Sequence, residues 1–142
     1  MRKVGTMRVD SLMLLLPEVP VLGQGDNVRV ALEQMTRHHL GLACIVDAEG
    51  RLQSVLTDGD VRRTLLQLQK PVSALLADEA SRHGTSNVTT VAPHTALRDA
   101  VAKMGELGVW DLPVVELDGQ LIGVLHLHPV VQELIQMMDG RG

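Results

Sequence analysis

Phenylalanine and tyrosine are absent from these 142 residues, and tryptophan occurs once, at Trp110. The core must therefore be built from Leu, Val, Ile, Ala and Met, which make up most of the 45% apolar content. The same absence removes the aromatic platforms on which single-stranded nucleic acid is held. An excess of positive charge is missing too, since a net charge of −4 offers no basic surface to follow a phosphate backbone. No nucleic-acid partner is expected. Cysteine is down to one, Cys44, so no disulfide can close within the chain. It lies in the apolar run Leu42-Ala43-Cys44-Ile45-Val46, where a small buried hydrophobe is expected rather than a nucleophile. Long hydrophobic runs are also lacking. Leu12 to Leu16 is too short for a signal or a membrane span, and Met1 to Arg8 is basic without an apolar stretch. These absences lead us to expect a cytoplasmic chain with no membrane partner, of a length that suits one domain.

What is present is a repetition. Val46-Asp47-Ala48-Glu49-Gly50-Arg51-Leu52 lines up with Val115-Glu116-Leu117-Asp118-Gly119-Gln120-Leu121, and from Val46 to Val115 the offset is 69. The same shift pairs Val55-Leu56 with Val124-Leu125, Ala31 with Ala100 and Met35 with Met104. A constant shift without gaps marks a tandem duplication of units of roughly 60 residues. Four segments follow: a lead-in over 1–18, a first repeat over 19–69, a linker over 70–87 and a second repeat over 88–139.

Each repeat reads as β-α-β-β-α. Val28, Ala31, Leu32 and Met35 recur at helical spacing after Asp26 or Asn27, and Leu97, Ala100, Val101, Met104 and Leu107 do so after a cap near Thr95. Two short apolar strands follow in each case, Leu42 to Asp47 with Leu52 to Leu56, then Leu112 to Glu116 with Gln120 to Leu125. Glu49-Gly50 and Asp118-Gly119 lie between them as hairpin turns, where Gly takes a positive φ at little cost. Closing helices are expected over Val61 to Gln69 and Val130 to Met138, with opening strands at Val19 to Leu22 and Val88 to Val91. The fold class is α/β (α+β). One such unit cannot cover both faces of its sheet, so two copies should pack sheet against sheet about a pseudo-two-fold axis and leave two related clefts.

The stretch Ser54-Val55-Leu56-Thr57-Asp58-Gly59-Asp60-Val61-Arg62-Arg63 runs from strand into helix. Thr57 or Asp58 can cap the helix, and the first-turn N–H groups together with the helix dipole favour an anion such as phosphate. Arg62 or Arg63 can neutralise that phosphate. A plain strand, cap and solvated basic pair is the competing account.

The duplicated unit and the stretch Gly41 to Asp60 resemble a pair of CBS (cystathionine β-synthase-type) domains. Val9-Asp10-Ser11-Leu12-Met13 is similar to the short lead-in of that family. Thr57-Asp58-Gly59-Asp60-Val61-Arg62-Arg63, with Gly123-Val124-Leu125-His126-Leu127-His128, most resembles the C-terminal CBS pair of arabinose-5-phosphate isomerases. The first string also occurs in CBS pairs of some sugar nucleotidyltransferases. In the isomerases the chemistry belongs to an N-terminal sugar-isomerase domain, to which nothing here corresponds, so no catalysis is expected of this chain. The resemblance implies an adenosine-containing ligand such as AMP, ATP or S-adenosylmethionine. Leu42, Ala43 and Cys44 would offer backbone and an apolar wall to a base. Thr57 and Asp58 would sit by the phosphate with Arg63, and Asp60 would accept from ribose hydroxyls. Alternatively, Asp60 only favours the helix start through its dipole, worth about 0.3–1 kcal/mol. A homodimer and a sugar-isomerase partner domain are implied as well.

The second repeat departs from this pattern. At the same shift His126 falls on Thr57 and Pro129 on Asp60, and proline cannot bond a ribose. A second cleft at Leu112, Pro113, His126 and His128 is thus a doubtful nucleoside site, and one ligand per chain is expected. His126 and His128 have no matching third ligand, so no metal is expected. Capping, solvent contact or contact with a neighbouring domain remain their readings. Trp110 falls on Gly41 and would either stack on a base or anchor a dimer. Two functions stand: a regulatory nucleotide sensor without catalysis, or a ligand-free oligomerisation scaffold. A third makes the chain part of a working sugar-phosphate isomerase, with the missing domain supplied in trans.

Overall fold

The computed structural model of the chain describes residues 7–140. The basic start read over Met1 to Arg8, and the lead-in expected over 1–18, lie outside it as far as residue 6.

Helix ends follow from local chemistry. Helix α1 (Val28–His38) opens at Asn27, whose side-chain oxygen accepts from Val30 N at 3.0 Å. It closes on His39 at a φ of 56°, a left-handed cap. Its repeat, α4 (Leu97–Leu107), closes on Gly108 in the same conformation. The expected Thr95 cap is not made: Ala96 stands at the cap and offers no side chain. The Leu97 N–H instead donates to the Met7 carbonyl at 2.8 Å, so the lead-in caps α4.

The hairpins form as the turn residues dictate. Strands β3 (Leu42–Val46) and β4 (Leu52–Thr57) pair antiparallel, as do β5 (Asp111–Val115) and β6 (Leu121–His126). Gly50 and Gly119 sit at φ of 83° and 93°. Helices α2 (Asp58–Leu66) and α5 (Leu127–Met138) begin directly at the strand ends, earlier than Val61 and Val130, where their apolar stripes begin. Strand β2 (Val21–Gly23) runs parallel to β3 with Leu22 opposite Ile45. The matching strand expected over Val88 to Val91 contracts to one bridge, Val91 opposite Val114. The cause is Pro113. In repeat one Cys44 N donates to Pro20 O at 2.9 Å, and proline at the equivalent position has no N–H to give.

The lead-in and the linker complete the symmetry. Strand β1 (Leu14–Leu15) pairs with β6, Leu14 opposite Val124, while Thr85 of the linker bridges Val55 of β4. A 3-10 turn at Val9–Ser11 matches one at Ala80–Arg82, an offset of 71 from Val9 to Ala80. Val9 N donates to Thr95 O, and Ala80 N to Asp26 O, each at 2.9 Å. The lead-in is thus built onto repeat two and the linker onto repeat one. The linker also contains a helix, α3 (Val72–Ala77).

The result is a mixed α+β fold of two three-stranded sheets, β2-β3-β4 and β1-β6-β5, packed face to face. Strand alternation sorts the apolar residues. Leu42, Cys44 and Val55 point into the seam with Leu121 and Val124, whereas Ala43, Ile45 and Leu56 face α1 beside Ala31 and Met35. Leu112, Val114 and Leu125 face α4 in the same way. The hairpin turns clasp each other across the seam, Leu52 N to Gly119 O at 3.0 Å and Leu121 N to Gly50 O at 3.1 Å. Among the described residues no helix is long and apolar enough to cross a membrane.

Candidate functional groove

At the opposite end of the strands the seam opens into a groove of about 1100 Å³. Equivalent residues of the two repeats line it. One wall carries Gly41 and Leu42 at the start of β3, Thr57 at the end of β4, and Asp58, Arg62 and Arg63 on α2. The other carries Trp110 to Pro113 with His126, Leu127 and His128. Thr85 and Asn87 of the linker, with Val88 and Thr89 at the start of repeat two, complete the lining.

In repeat one the helix start is tied off internally. Thr57 Oγ1 accepts from Asp60 N at 3.1 Å, and Asp60 Oδ2 accepts from Thr57 N at 3.0 Å, a reciprocal capping box. Asp60 Oδ1 accepts from Arg63 Nη2 at 2.8 Å and from Thr85 Oγ1 at 3.1 Å. The carboxylate is 7% exposed and does not line the groove. Arg62, by contrast, is exposed and makes no ion pair among the described residues.

Repeat two uses the same backbone for a different bond. Thr57 pairs across the hairpin with Leu42, and His126 pairs with Asp111. Pro129 removes the third-position N–H that His126 would cap, so no side-chain cap forms there. His126 Nδ1 instead meets Asp111 Oδ1 at 2.6 Å. Burial raises the pKa of Asp111 against the lowering bond from His126, and the charge of Asp58 adds to the rise.

Of the residues singled out from sequence, Leu42, Thr57, Asp58, Arg63, Leu112, Pro113, His126 and His128 meet in the groove. Ala43, Cys44 and Asp60 do not. Ala43 faces the helix layer and Cys44 the seam, both at 0% exposure, and the Cys44 amide is spent on Pro20. Burial, with the charge of Asp111 second, pushes the Cys44 thiol up to about 12, which leaves it protonated and inert. Asp111 was not anticipated, although hairpin register sets it opposite His126 and the 69-residue shift sets it on an apolar position. Among the described residues no three His, Cys, Asp or Glu side chains are grouped to hold a metal.

The profile of the CBS domain matches residues 10–67 and 81–128. Arabinose 5-phosphate isomerase KdsD of Yersinia pestis is 32% identical over 126 residues, which cover 89% of this chain and 37% of that protein. The chain therefore spans little more than a third of the length of the isomerase. A crystal structure of CBSX2 in complex with AMP superposes with a TM-score of 0.79 at 27% identity, covering 92% of this chain and 98% of that one. The CBS domain pair of MJ0100, in complex with 5′-methylthioadenosine and S-adenosyl-L-methionine, shares the fold at a TM-score of 0.77 and 17% identity, covering 92% and 98% of the two chains.

Proposed function

The chain belongs to the CBS-domain family, and from that premise we propose that it is a regulatory module, without catalysis of its own, that binds an adenosine-containing or related nucleotide. The observation that carries this is the groove itself: an open volume between the repeats, with apolar strand ends for a base and a capped helix start with Arg62 and Arg63 for a phosphate. The AMP-bound relative supports the ligand class. Asp60 reaches a ribose only by exchanging its bonds from Arg63 or Thr85 for bonds to the ligand, and a bound phosphate would draw Arg63 away to allow that. Binding would bias the packing of the two sheets and pass that change to an attached or associated sugar-phosphate isomerase, in a cytoplasmic homodimer. Isothermal titration with AMP, ADP, ATP, S-adenosylmethionine and cytidine sugar nucleotides tests it. Saturable binding of one of them is expected, and no binding of any at millimolar concentration overturns it.

A second reading, a ligand-free oligomerisation scaffold, is favoured by one observation: Trp110 is exposed, and so are Leu65 and Leu66 on α2 and Ile135 and Met138 on α5. It predicts that Trp110→Ala dissociates the dimer in sedimentation runs while Asp60→Ala leaves it intact.

A further inference from the structure

Asp111 opens β5, lines the groove and has a side chain only 12% exposed. His126 occupies its Oδ1, and among the described residues no other side chain or backbone donor reaches the carboxylate. Oδ2 is left as an unused acceptor at the groove wall. A donor brought there meets a partly desolvated carboxylate, where a hydrogen bond is stronger than in water. Asp58, on the facing wall at the start of α2, lies near enough to add to the rise in the Asp111 pKa. Trp110, the preceding residue, is 70% exposed at the lip, so the described residues leave most of its ring system open for stacking. The other wall carries the positive charge, Arg62 and Arg63.

These features give the groove two poles. A phosphate is repelled from Asp111 and drawn to the arginines. A planar group with an N–H donor finds a largely buried acceptor and a stacking face side by side in repeat two. Building on the nucleotide reading above, we infer that repeat two holds the base, stacked on Trp110 with an exocyclic amine on Asp111 Oδ2, so that amine-bearing bases are selected over their carbonyl counterparts. A carbonyl in that place would set two acceptors face to face with no hydrogen between them. One ligand then spans both repeats, and the Asp111–His126 pair, in place of the Leu42–Thr57 pair, is what makes the two halves read different ends of it.

Isothermal titration of the chain with AMP against IMP, and with CMP against UMP, near neutral pH tests this, because each pair differs only in the exchange of the amine for a carbonyl and in the ring nitrogen beside it, which gains a hydrogen. IMP and UMP should bind at least about tenfold more weakly than their partners, as expected when a polar site loses the donor it was built for. Asp111→Asn, whose amide can turn to offer either a donor or an acceptor, should remove most of that preference, and Trp110→Ala should weaken the amine and carbonyl partners alike. Equal affinities within each wild-type pair overturn the inference and leave the nucleotide reading standing, whereas no binding by any of the four overturns both. The wild-type ratio needs no variant, so it decides the matter even where Asp111→Asn fails to fold.

Discussion

Repeat one and repeat two share most of their backbone hydrogen bonds, yet they differ at and beside the groove. Gly41, Leu42, Thr57 and Asp60 in the first become Trp110, Asp111, His126 and Pro129 in the second. The Asp58 N–H still donates to Gly41 O, and the Leu127 N–H to Trp110 O, at 3.0 and 2.9 Å. What has changed is where the polar side chains spend their bonds. Repeat one turns them inward, into a capping box closed over by Arg63 and Thr85. Repeat two gives up the cap through Pro129, and the freed histidine turns to the carboxylate across the hairpin. Three differences acting together, Asp111, His126 and Pro129, therefore redirect the polar bonds at this end of the hairpin. A duplicated fold can keep its core and divide its site in this way.

The largest effects should come where the two halves solve one packing problem from opposite sides. A Cβ on Gly123 of β6 would lie 2.4 Å from Leu14 O of the lead-in, and one on Gly84 of the linker 2.7 Å from Val55 O of β4. The strand supplies the glycine in repeat two and the linker supplies it in repeat one. Gly123→Ala and Gly84→Ala should each cost about 1–3 kcal/mol, since backbone must move to admit the methyl group. Urea unfolding measures this; a loss at one position only would mean that the lead-in and the linker are not equivalent struts.

The capping contrast gives a comparable effect on one side alone. Asp60→Ala strips a nearly buried carboxylate from the Thr57 N–H and the Thr85 hydroxyl, and should cost about 1.5–3 kcal/mol. Pro129→Ala restores an N–H in a half-buried first turn, removes no hydrogen bond and should cost less, about 0.5 kcal/mol. Equal losses for the two would show that the capping box contributes nothing to stability.

Much of this was legible beforehand, because a fixed 69-residue shift survives only where the hairpins and helix stripes must match. The sheet-on-sheet seam followed from aliphatic strands that one helix layer could not cover. Four things were hidden. The strand expected at Val88 to Val91 depended on a bond that Pro113 cannot make, which becomes visible only once register is known. The lead-in and linker repeat at 71 rather than 69, with almost no residues in common, so their equivalence lies in backbone bonds and not in side chains. From sequence Asp60 has two readings, an acceptor for ribose hydroxyls and a charge that only favours the helix start. A carboxylate three residues after a threonine cap is equally suited to fold back on that cap, and in the structure it does. Asp111 escaped notice for the opposite reason, since its alignment partner is the apolar Leu42.

The smallest expected effect is the one that sets the halves against each other in sign. Under repeat one, Asp78 of the linker accepts bonds from Lys70 Nζ and from His83 Nε2, and those bonds, Lys70 first, hold its carboxyl below the ordinary value. Asp111 in repeat two is held above it, chiefly by burial. A carboxyl lowered in the folded state contributes stability that is present above its unfolded pKa and lost as pH falls through the folded one. A carboxyl raised in the folded state does the reverse: its contribution is complete below the unfolded pKa and is lost as pH climbs through the folded one. Acidification should therefore weaken the Asp78 clasp while relieving the strain of an ionised Asp111. Urea midpoints for Asp78→Asn should converge on wild type as pH drops from neutral to strongly acid, because wild type loses what the variant already lacks. Those for Asp111→Asn should fall relative to wild type over the same range, the variant gaining nothing from protonation. Lys70 is 41% exposed, so added salt should shrink the Asp78 difference. If both variants drift the same way with pH, the opposed electrostatics of these two carboxylates do not exist.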